Sequence, residues 1–178
     1  ALQGLTAIGA QTDADAARLE TLGALRVTVT GNVKFDIVAP AQQLELGREL
    51  RTRCGDRPVW LAASTREGEE ALILSAWNTA LGNGSRKVGA GDTALLVIVP
   101  RHPQRFDEVA RLVAGHGFAL QRRSETAAIE ATTGVLLGDS MGEMFAYYAA
   151  ADLAFIGGSL LDYGSQNLIE AAACGTPI

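Results

Sequence analysis

LAFIGGSLLDYGSQNLIEAAACGTPI, residues 153–178, carries the signals of a strand, a glycine turn and a helix in that order. The apolar run Leu153–Ile156 ends in Gly157–Ser159. After a polar loop, Asn167 begins an apolar-patterned helix, and Gly175 ends it. Glycines let a backbone approach a ligand closely, and a helix start offers unpaired N–H groups and the positive end of the helix dipole. The stretch therefore predicts a site for an anion such as a nucleotide phosphate.

Glu170 has two possible roles within this stretch. It follows Asn167 by three positions, which is the spacing of a capping box. Its carboxylate could instead accept hydrogen bonds from the ribose of a nucleotide.

The rest of the chain alternates apolar strands with helices, which predicts an α/β fold. Strands are predicted at Thr6–Ala10, Arg26–Thr30, Val59–Ala63, Leu95–Val99, Gly117–Gln121, Val135–Leu137 and Leu153–Ile156. Helices are predicted from Asp13 to Gly23, over Ala41–Cys54, after Ser64 to about Leu81, over Phe106–Ala114 and from the Gly138–Glu143 turn to Ala150. This order is typical of a Rossmann-like, doubly wound parallel sheet, which binds ligands at the carboxyl ends of its strands.

Ser64 is predicted to cap the helix that follows the third strand, with Glu67 in the capping-box position. Glu69 and Glu70 would then lie near the positive end of that helix. Beyond it, the Gly-, Asn- and Ser-rich segment Gly82–Asp92 predicts a mobile surface loop.

Polar turns that contain Gly or Pro follow Val99, Leu137 and Ile156, and we expect the three turns to converge. In the first turn, the Arg101 guanidinium could pair with a phosphate and the His102 ring could contact a base or sugar, or Arg101 could simply be solvated. In the second, Gly138–Glu143 could hold a sugar or base edge on its backbone donors, or could be a plain helix cap.

Composition excludes several other classes of function. A net charge of -5 and a pI near 5.0 argue against nucleic-acid binding, which needs a concentrated basic face. The two cysteines lie far apart in sequence and predict neither a disulfide framework nor a zinc site. A Gly-x-Gly-x-x-Gly or Walker motif, a catalytic Ser/His/Asp arrangement and a membrane-length apolar run are also missing, so we expect a soluble chain without a metal or cofactor.

Five motifs in one order resemble the 3-deoxy-D-manno-octulosonic acid (Kdo) transferase family of lipopolysaccharide synthesis. They are TGNVKFD at Thr30–Asp36, ASTREGEE at Ala63–Glu70, PRHPQRF at Pro100–Phe106, GDSMGE at Gly138–Glu143 and the GGS … QNLIEAA pattern at Gly157–Ala172. The resemblance implies a GT-B glycosyltransferase, in which two Rossmann-like domains face a cleft. The C-terminal domain of such an enzyme holds CMP-Kdo, and the N-terminal domain holds a lipid A precursor.

On this resemblance, residues 1–30 are the tail of the N-terminal acceptor domain and residues 31–40 a linker. Residues 41–178 are then a C-terminal donor domain that is truncated at its end. The reaction implied is an inverting, metal-independent transfer whose general base lies in the missing N-terminal part, so the fragment alone would be inactive. The full protein would act at the cytoplasmic face of the bacterial inner membrane and would associate with the membrane through that missing part.

The resemblance also assigns the donor-binding residues. They are Arg101 and His102 toward CMP, Ser140, Met141 and Gly142 along the nucleotide, Gly157, Gly158 and Ser159 in the glycine turn, Asn167 and Glu170 toward phosphate and ribose, and Lys34 in the cleft. One departure is that Ser165 stands where the family usually has a second glycine after Gly164. Its side chain would either crowd the approach of the phosphate or add a hydroxyl donor.

Two other functions fit the residues. One is a different GT-B enzyme that uses a UDP-sugar, either a glycosyltransferase or a UDP-GlcNAc 2-epimerase. The other is a non-catalytic α/β interaction domain.

Overall fold

The computed structural model of the chain describes residues 2–81, 94–125 and 128–178. Two compact units divide the chain, Ala1–Ile37 and Val38–Ile178, and the division falls within the segment 31–40 that was predicted to be a linker. The loop predicted at Gly82–Asp92 lies outside the described residues.

The first unit is a small parallel βαβ arrangement. Strand β1 (Ile8–Ala10) pairs with β2 (Val27–Val29), and helix α1 (Asp13–Thr21) connects them. Thr12 caps the start of the helix, because its hydroxyl oxygen accepts a hydrogen bond from the Asp15 N–H at 3.1 Å. The strand–helix–strand order agrees with the prediction from sequence.

The second unit is built on one five-stranded parallel sheet with the order β5-β6-β4-β3-β7. Its strands are β3 (Val59–Thr65), β4 (Leu95–Pro100), β5 (Leu120–Arg122), β6 (Val135–Leu137) and β7 (Leu153–Ile156). Its helices are α2 (Ala41–Cys54), α3 (Glu69–Ala80), α4 (Phe106–Gly115), α5 (Met144–Ala150) and α6 (Ile169–Ala173), with a short 3-10 turn at Pro103–Arg105.

Alternate residues of the central strands pack on opposite faces of this sheet, and helices cover both faces. On one face, Leu61 and Val97 pack with Leu50 of α2 and Tyr147 of α5. On the other face, Ile98 packs in a second cluster that includes residues of α3 and α4. Strands that are apolar on both sides can be stable only between two helical layers, so the doubly wound α/β fold predicted from sequence is confirmed.

Two local predictions were wrong. Ser64 does not cap a helix, because β3 continues to Thr65 and α3 begins only at Glu69, after Gly68 with a φ of 87°. Gly117 does not begin a strand, because with a φ of 79° it turns the chain after α4, and β5 begins at Leu120. In each case the glycine adopts the left-handed conformation that ends one element and delays the next.

The helix after β7 is shorter than predicted, whereas the helix after β6 follows the Gly138–Glu143 turn and ends at Ala150 as predicted. Helix α5 begins at Met144 and carries no side-chain cap, so the residues of Gly138–Glu143 form an irregular turn. Helix α6 has five residues, and the Asn167 side-chain oxygen accepts a hydrogen bond from the Ile169 N–H at 3.1 Å. Glu170 makes no capping bond there, so its predicted capping-box role is wrong. None of the helices formed by the described residues is long and apolar enough to cross a membrane.

Gly47 sets how closely α2 approaches α5. A Cβ on Gly47 would lie 2.6 Å from the Ala149 Cβ and 2.9 Å from the Ala146 carbonyl oxygen. Gly115, at the end of α4, has open space around the same position. The two helical glycines therefore form a matched pair for testing the packing.

We expect Gly47→Ala to lower the free energy of unfolding by about 1–3 kcal/mol, because the added methyl forces α2 away from α5. Gly115→Ala should leave the free energy unchanged or raise it slightly, because alanine favours helix and meets no atom. Urea denaturation of the parent and both variants measures this, and equal stability of the two variants would contradict the packing described.

Candidate functional site

A cleft of about 400 Å³ lies at the carboxyl ends of the strands. The turns after β4, β6 and β7 contribute its walls, so the sequence correctly predicted that they converge. Its lining residues are Ser64, Val99, Pro100, Arg101, Ser140, Met141, Gly142, Met144, Phe145, Gln166, Asn167 and Glu170. The cleft therefore combines a guanidinium, a carboxylate, amides and apolar side chains.

Arg101 and Glu170 bring opposite charges to this cleft. Burial raises the pKa of Glu170 above its ordinary value, and the positive charge of Arg101 acts in the opposite direction. Among the described residues, no donor hydrogen-bonds the Glu170 carboxylate, whereas the Arg101 N–H donates to the Thr65 carbonyl at 3.0 Å. The backbone of Arg101 is thus anchored at the end of β3, while the Glu170 oxygens remain available to the hydroxyl groups of a ligand.

His102 does not line the cleft. Its Nε2 lies 3.3 Å from a terminal nitrogen of Arg66, and the Arg66 guanidinium also lies over the Tyr163 ring at 4.8 Å. Because a guanidinium can only donate, the Nε2 atom of His102 is the acceptor in this pair. The structure thus separates two neighbours that the sequence placed together, with Arg101 in the cleft and His102 outside it.

A short hydrogen-bond network fixes the wall around Ser140. The Ser140 hydroxyl lies 2.7 Å from the Glu143 carboxylate and 2.6 Å from the Tyr147 hydroxyl. Burial raises the pKa of Tyr147, so its hydroxyl keeps its proton at neutral pH and can donate to Ser140. Glu143 also pairs with Arg123 at 3.3 Å. The exposed Met141 and Gly142 follow this fixed point and line the cleft.

The glycine turn after β7 does not form an open phosphate cradle. Gly157 is buried, and a Cβ there would lie 2.3 Å from the Ser64 carbonyl oxygen. The Gly158 N–H donates to both carboxylate oxygens of Glu69, at 2.9 and 2.8 Å, and the Ser159 hydroxyl donates to the Ile156 carbonyl. These glycines allow the turn to pack against the end of β3, and the predicted contact of Gly157, Gly158 and Ser159 with the donor stays a prediction.

Ser165 and Lys34 are not among the residues that line the cleft. Ser165 is exposed and its hydroxyl donates to the Gln166 carbonyl at 3.2 Å, so its side chain does not line the cleft. Lys34 lies in the first unit, in the 3-10 helix Val33–Asp36, and its predicted role stays a prediction.

Several residues that line the cleft were not predicted from the sequence to belong to the site. Ser64, Gln166 and Phe145 line the cleft, although Ser64 was predicted to cap a helix and the other two were given no role in the site. Of the three, Ser64 is the one that the backbone geometry marks most clearly, because a φ of 54° is unusual for a non-glycine residue and indicates a constrained position. Over residues 2–81, 94–125 and 128–178, no three His, Cys, Asp or Glu side chains gather where they could share a metal ion.

Sequence similarity to known proteins extends over the whole chain. Residues 1–37 match the family described as 3-Deoxy-D-manno-octulosonic-acid transferase (kdotransferase). The chain is 48% identical to the 3-deoxy-D-manno-octulosonic acid transferase of Bordetella pertussis, over 100% of this chain and 41% of that protein. It is 38% identical to the enzyme of the same name from Haemophilus influenzae, over 98% of this chain and 40% of that protein. The chain thus spans about two fifths of the length of these relatives.

A solved structure decides the family. The C-terminal CMP-Kdo binding domain of WaaA from Acinetobacter baumannii is 35% identical and superposes with a TM-score of 0.68. The match covers 78% of this chain and 69% of that chain. The chain belongs to the 3-deoxy-D-manno-octulosonic acid transferase family. The family predicted from the five motifs is therefore confirmed, and so is its α/β C-terminal domain.

In this Kdo transferase family member, Glu170 should make stability depend on pH. Burial raises the pKa of Glu170 in the folded chain above the ordinary 4.5. Below pH 4.5 the carboxyl is protonated in both the folded and the unfolded chain, so it does not lower the stability of the fold. As pH rises through the raised pKa, the half-buried carboxyl becomes charged and the folded chain loses stability. We expect Glu170→Gln to raise the melting temperature at pH 7, where the parent holds a half-buried charge, and to change it little at pH 4. Thermal melts at both pH values check this, with the exposed Glu67→Gln as the control. An equal gain at both pH values would contradict the assignment to the Glu170 charge.

Proposed function

We propose that this chain provides the donor-binding half of an enzyme that transfers Kdo from CMP-Kdo to a lipid A precursor. The observation that carries the proposal is the polar cleft at the strand ends, in a domain 35% identical to a solved CMP-Kdo binding domain. Relatives named as Kdo transferases, which align over nearly the whole chain, support the same reaction.

The chemistry of CMP matches the groups that line the cleft. A guanidinium such as that of Arg101 forms strong, charge-assisted hydrogen bonds with a phosphate. The Glu170 carboxylate can accept from the ribose hydroxyls, and Asn167 beside it can donate its amide. The exposed backbone of Met141 and Gly142 is free to contact an edge of the base or sugar. His102 does not line the cleft, so we propose it as a contact to a part of CMP-Kdo that extends beyond the cleft.

The reaction we propose is a single inverting displacement. The acceptor hydroxyl oxygen bonds to the anomeric carbon of Kdo from one side, while the bond from that carbon to the phosphate oxygen of CMP breaks on the other. A general base takes the hydroxyl proton, and we assign this base to the acceptor domain. The departing phosphate gains negative charge, which Arg101 stabilises, so the transfer needs no metal ion.

The two units then have different assignments. The unit Ala1–Ile37 is the end of the acceptor domain, and the unit Val38–Ile178 binds the donor. Because the base and the acceptor site belong to the rest of the protein, we expect the chain alone to bind the donor nucleotide without transferring sugar. The whole enzyme would work at the cytoplasmic face of the bacterial inner membrane.

Titration calorimetry with CMP and with UDP tests the proposal. We expect CMP to bind more tightly than UDP. Arg101→Ala should weaken CMP binding by about tenfold or more, because a hydrogen bond to a charged group contributes about 1.5–3 kcal/mol. Arg111→Ala removes another exposed arginine, which lies on α4 outside the cleft lining, and should leave the affinity unchanged.

Two outcomes would contradict the assignment. Tighter binding of UDP would favour another GT-B enzyme, one that uses a UDP-sugar. No nucleotide binding at millimolar ligand, from a chain that circular dichroism shows to be folded, would favour an interaction domain.

A further inference from the structure

We propose that the adjacent buried carboxylates of Glu69 and Glu70 are positioning residues, each of which fixes one wall of the candidate donor cleft. Both side chains are 0% exposed, and neither lines the cleft. This inference rests on the proposed function, since it assigns the two residues a role in donor binding.

Glu69 holds the turn after β7 through backbone N–H groups. Its Oε1 accepts from the N–H of Gly158 at 2.9 Å and of Leu160 at 3.1 Å. Its Oε2 accepts from the N–H of Gly158 and of Arg66, both at 2.8 Å. Both oxygens of Glu69 thus face only donors, which suits a carboxylate. The NH₂ group of a glutamine in its place would set a donor against a donor and disrupt the arrangement.

The turn that Glu69 holds is folded back on itself and leads directly to the cleft. The Gln166 N–H donates to the Gly157 carbonyl at 3.0 Å, and the Gly164 carbonyl oxygen would lie 2.7 Å from a Cβ on Gly158. The position of Gly157 and Gly158 therefore sets the position of Gln166 and of Asn167 after it. A shift of the turn would move this wall of the cleft.

Glu70 holds the turn after β4 in a different way. Its Oε1 accepts from the Thr65 hydroxyl and from Arg105, each at 2.7 Å, and its Oε2 accepts from Arg105 at 3.2 Å. Burial alone would lower the pKa of Arg105, but the hydrogen bonds and charges of Glu108 and Glu70 raise it, so the guanidinium stays charged. The Arg105 N–H donates to the His102 carbonyl at 3.0 Å, which closes the turn that begins at Arg101.

The order of the strands explains why two consecutive residues serve opposite walls. Strand β3 lies between β4 and β7, so the loop after β3 has the other two turns on its two sides. Consecutive residues at the start of α3 point about 100° apart, and this lets Glu69 face the β7 turn while Glu70 faces the β4 turn. Both contacts begin within the same helical turn.

The test compares Glu69→Gln, Glu70→Gln and the control Glu67→Gln, which changes an exposed glutamate in the same loop. Backbone amide NMR spectra should show Glu69→Gln shifting the resonances of Gln166 and Asn167 but not that of Arg101. Glu70→Gln should shift the Arg101 resonance and leave those of Gln166 and Asn167 in place. The control should shift none of them.

Calorimetry with CMP is run on the same proteins, at a temperature at which circular dichroism shows each to be folded. We expect Glu69→Gln and Glu70→Gln to weaken CMP binding by about tenfold, as is usual when the support of a binding residue is lost. If Glu69→Gln fails to fold, it is replaced by Glu69→Asp, which keeps the charge but changes the reach of the side chain. If Glu70→Gln fails to fold, it is replaced by Arg105→Lys, which keeps the charge but changes the fork geometry.

Lower melting temperatures with unchanged CMP affinity and unchanged cleft amides would overturn the inference and leave the two residues a role in stability only. If the parent chain itself does not bind CMP, the proposed function fails. The amide shifts then still decide whether the two glutamates position the two walls.

Discussion

The packing of the turn after β7 against the end of β3 is the constraint on which the cleft depends. The Gly157 N–H donates to the Ala63 carbonyl at 2.7 Å, and a side chain on Gly157 would overlap the Ser64 carbonyl. This approach is possible only because Gly157 has no Cβ. It brings the chain that continues to Gln166 and Asn167 over the strand ends, where it can face Arg101 across the cleft.

The buried carboxylates inside the protein have hydrogen-bond donors, whereas the carboxylate of Glu170 at the cleft has none among the described residues. The buried Glu70 has a cation, Arg105, and the buried Glu69 has backbone N–H groups, so both charges are compensated within the fold. Glu170 is half-buried without a hydrogen-bond donor among the described residues, and its pKa is raised by burial. A site that leaves a carboxylate in this state gives up some stability and gains an acceptor for a ligand.

The sequence predicted those parts of the fold that depend on periodicity and on breakers. The strands Leu95–Val99 and Leu153–Ile156, helix Ala41–Cys54 and the doubly wound arrangement all follow from apolar patterns that a buried parallel sheet requires. The convergence of the polar turns followed from the rule that ligands lie at the carboxyl ends of parallel strands. Arg101, Gly142 and Glu170 reach the cleft for this reason.

The remaining features depend on contacts that no local pattern reveals. Ser64 and Glu67 have the spacing of a capping box, but Glu69 takes the loop N–H of Arg66 instead and also binds Gly158, 89 residues away. The sequence at Gly157 and Gly158 does not distinguish a turn that binds a phosphate from a turn that packs against another strand. His102 follows Arg101 directly, yet its partner is Arg66 in the loop after β3.

The central claim is that CMP binds in the cleft at the carboxyl ends of the strands. A titration of the isotope-labelled chain with CMP, followed by amide and indole NMR signals, tests it most directly. We expect saturable shifts at Arg101, Met141, Gly142 and Asn167. Shifts confined instead to the indole signals of Trp60 and Trp77, which line an apolar groove at the amino ends of β3 and β7, would contradict it.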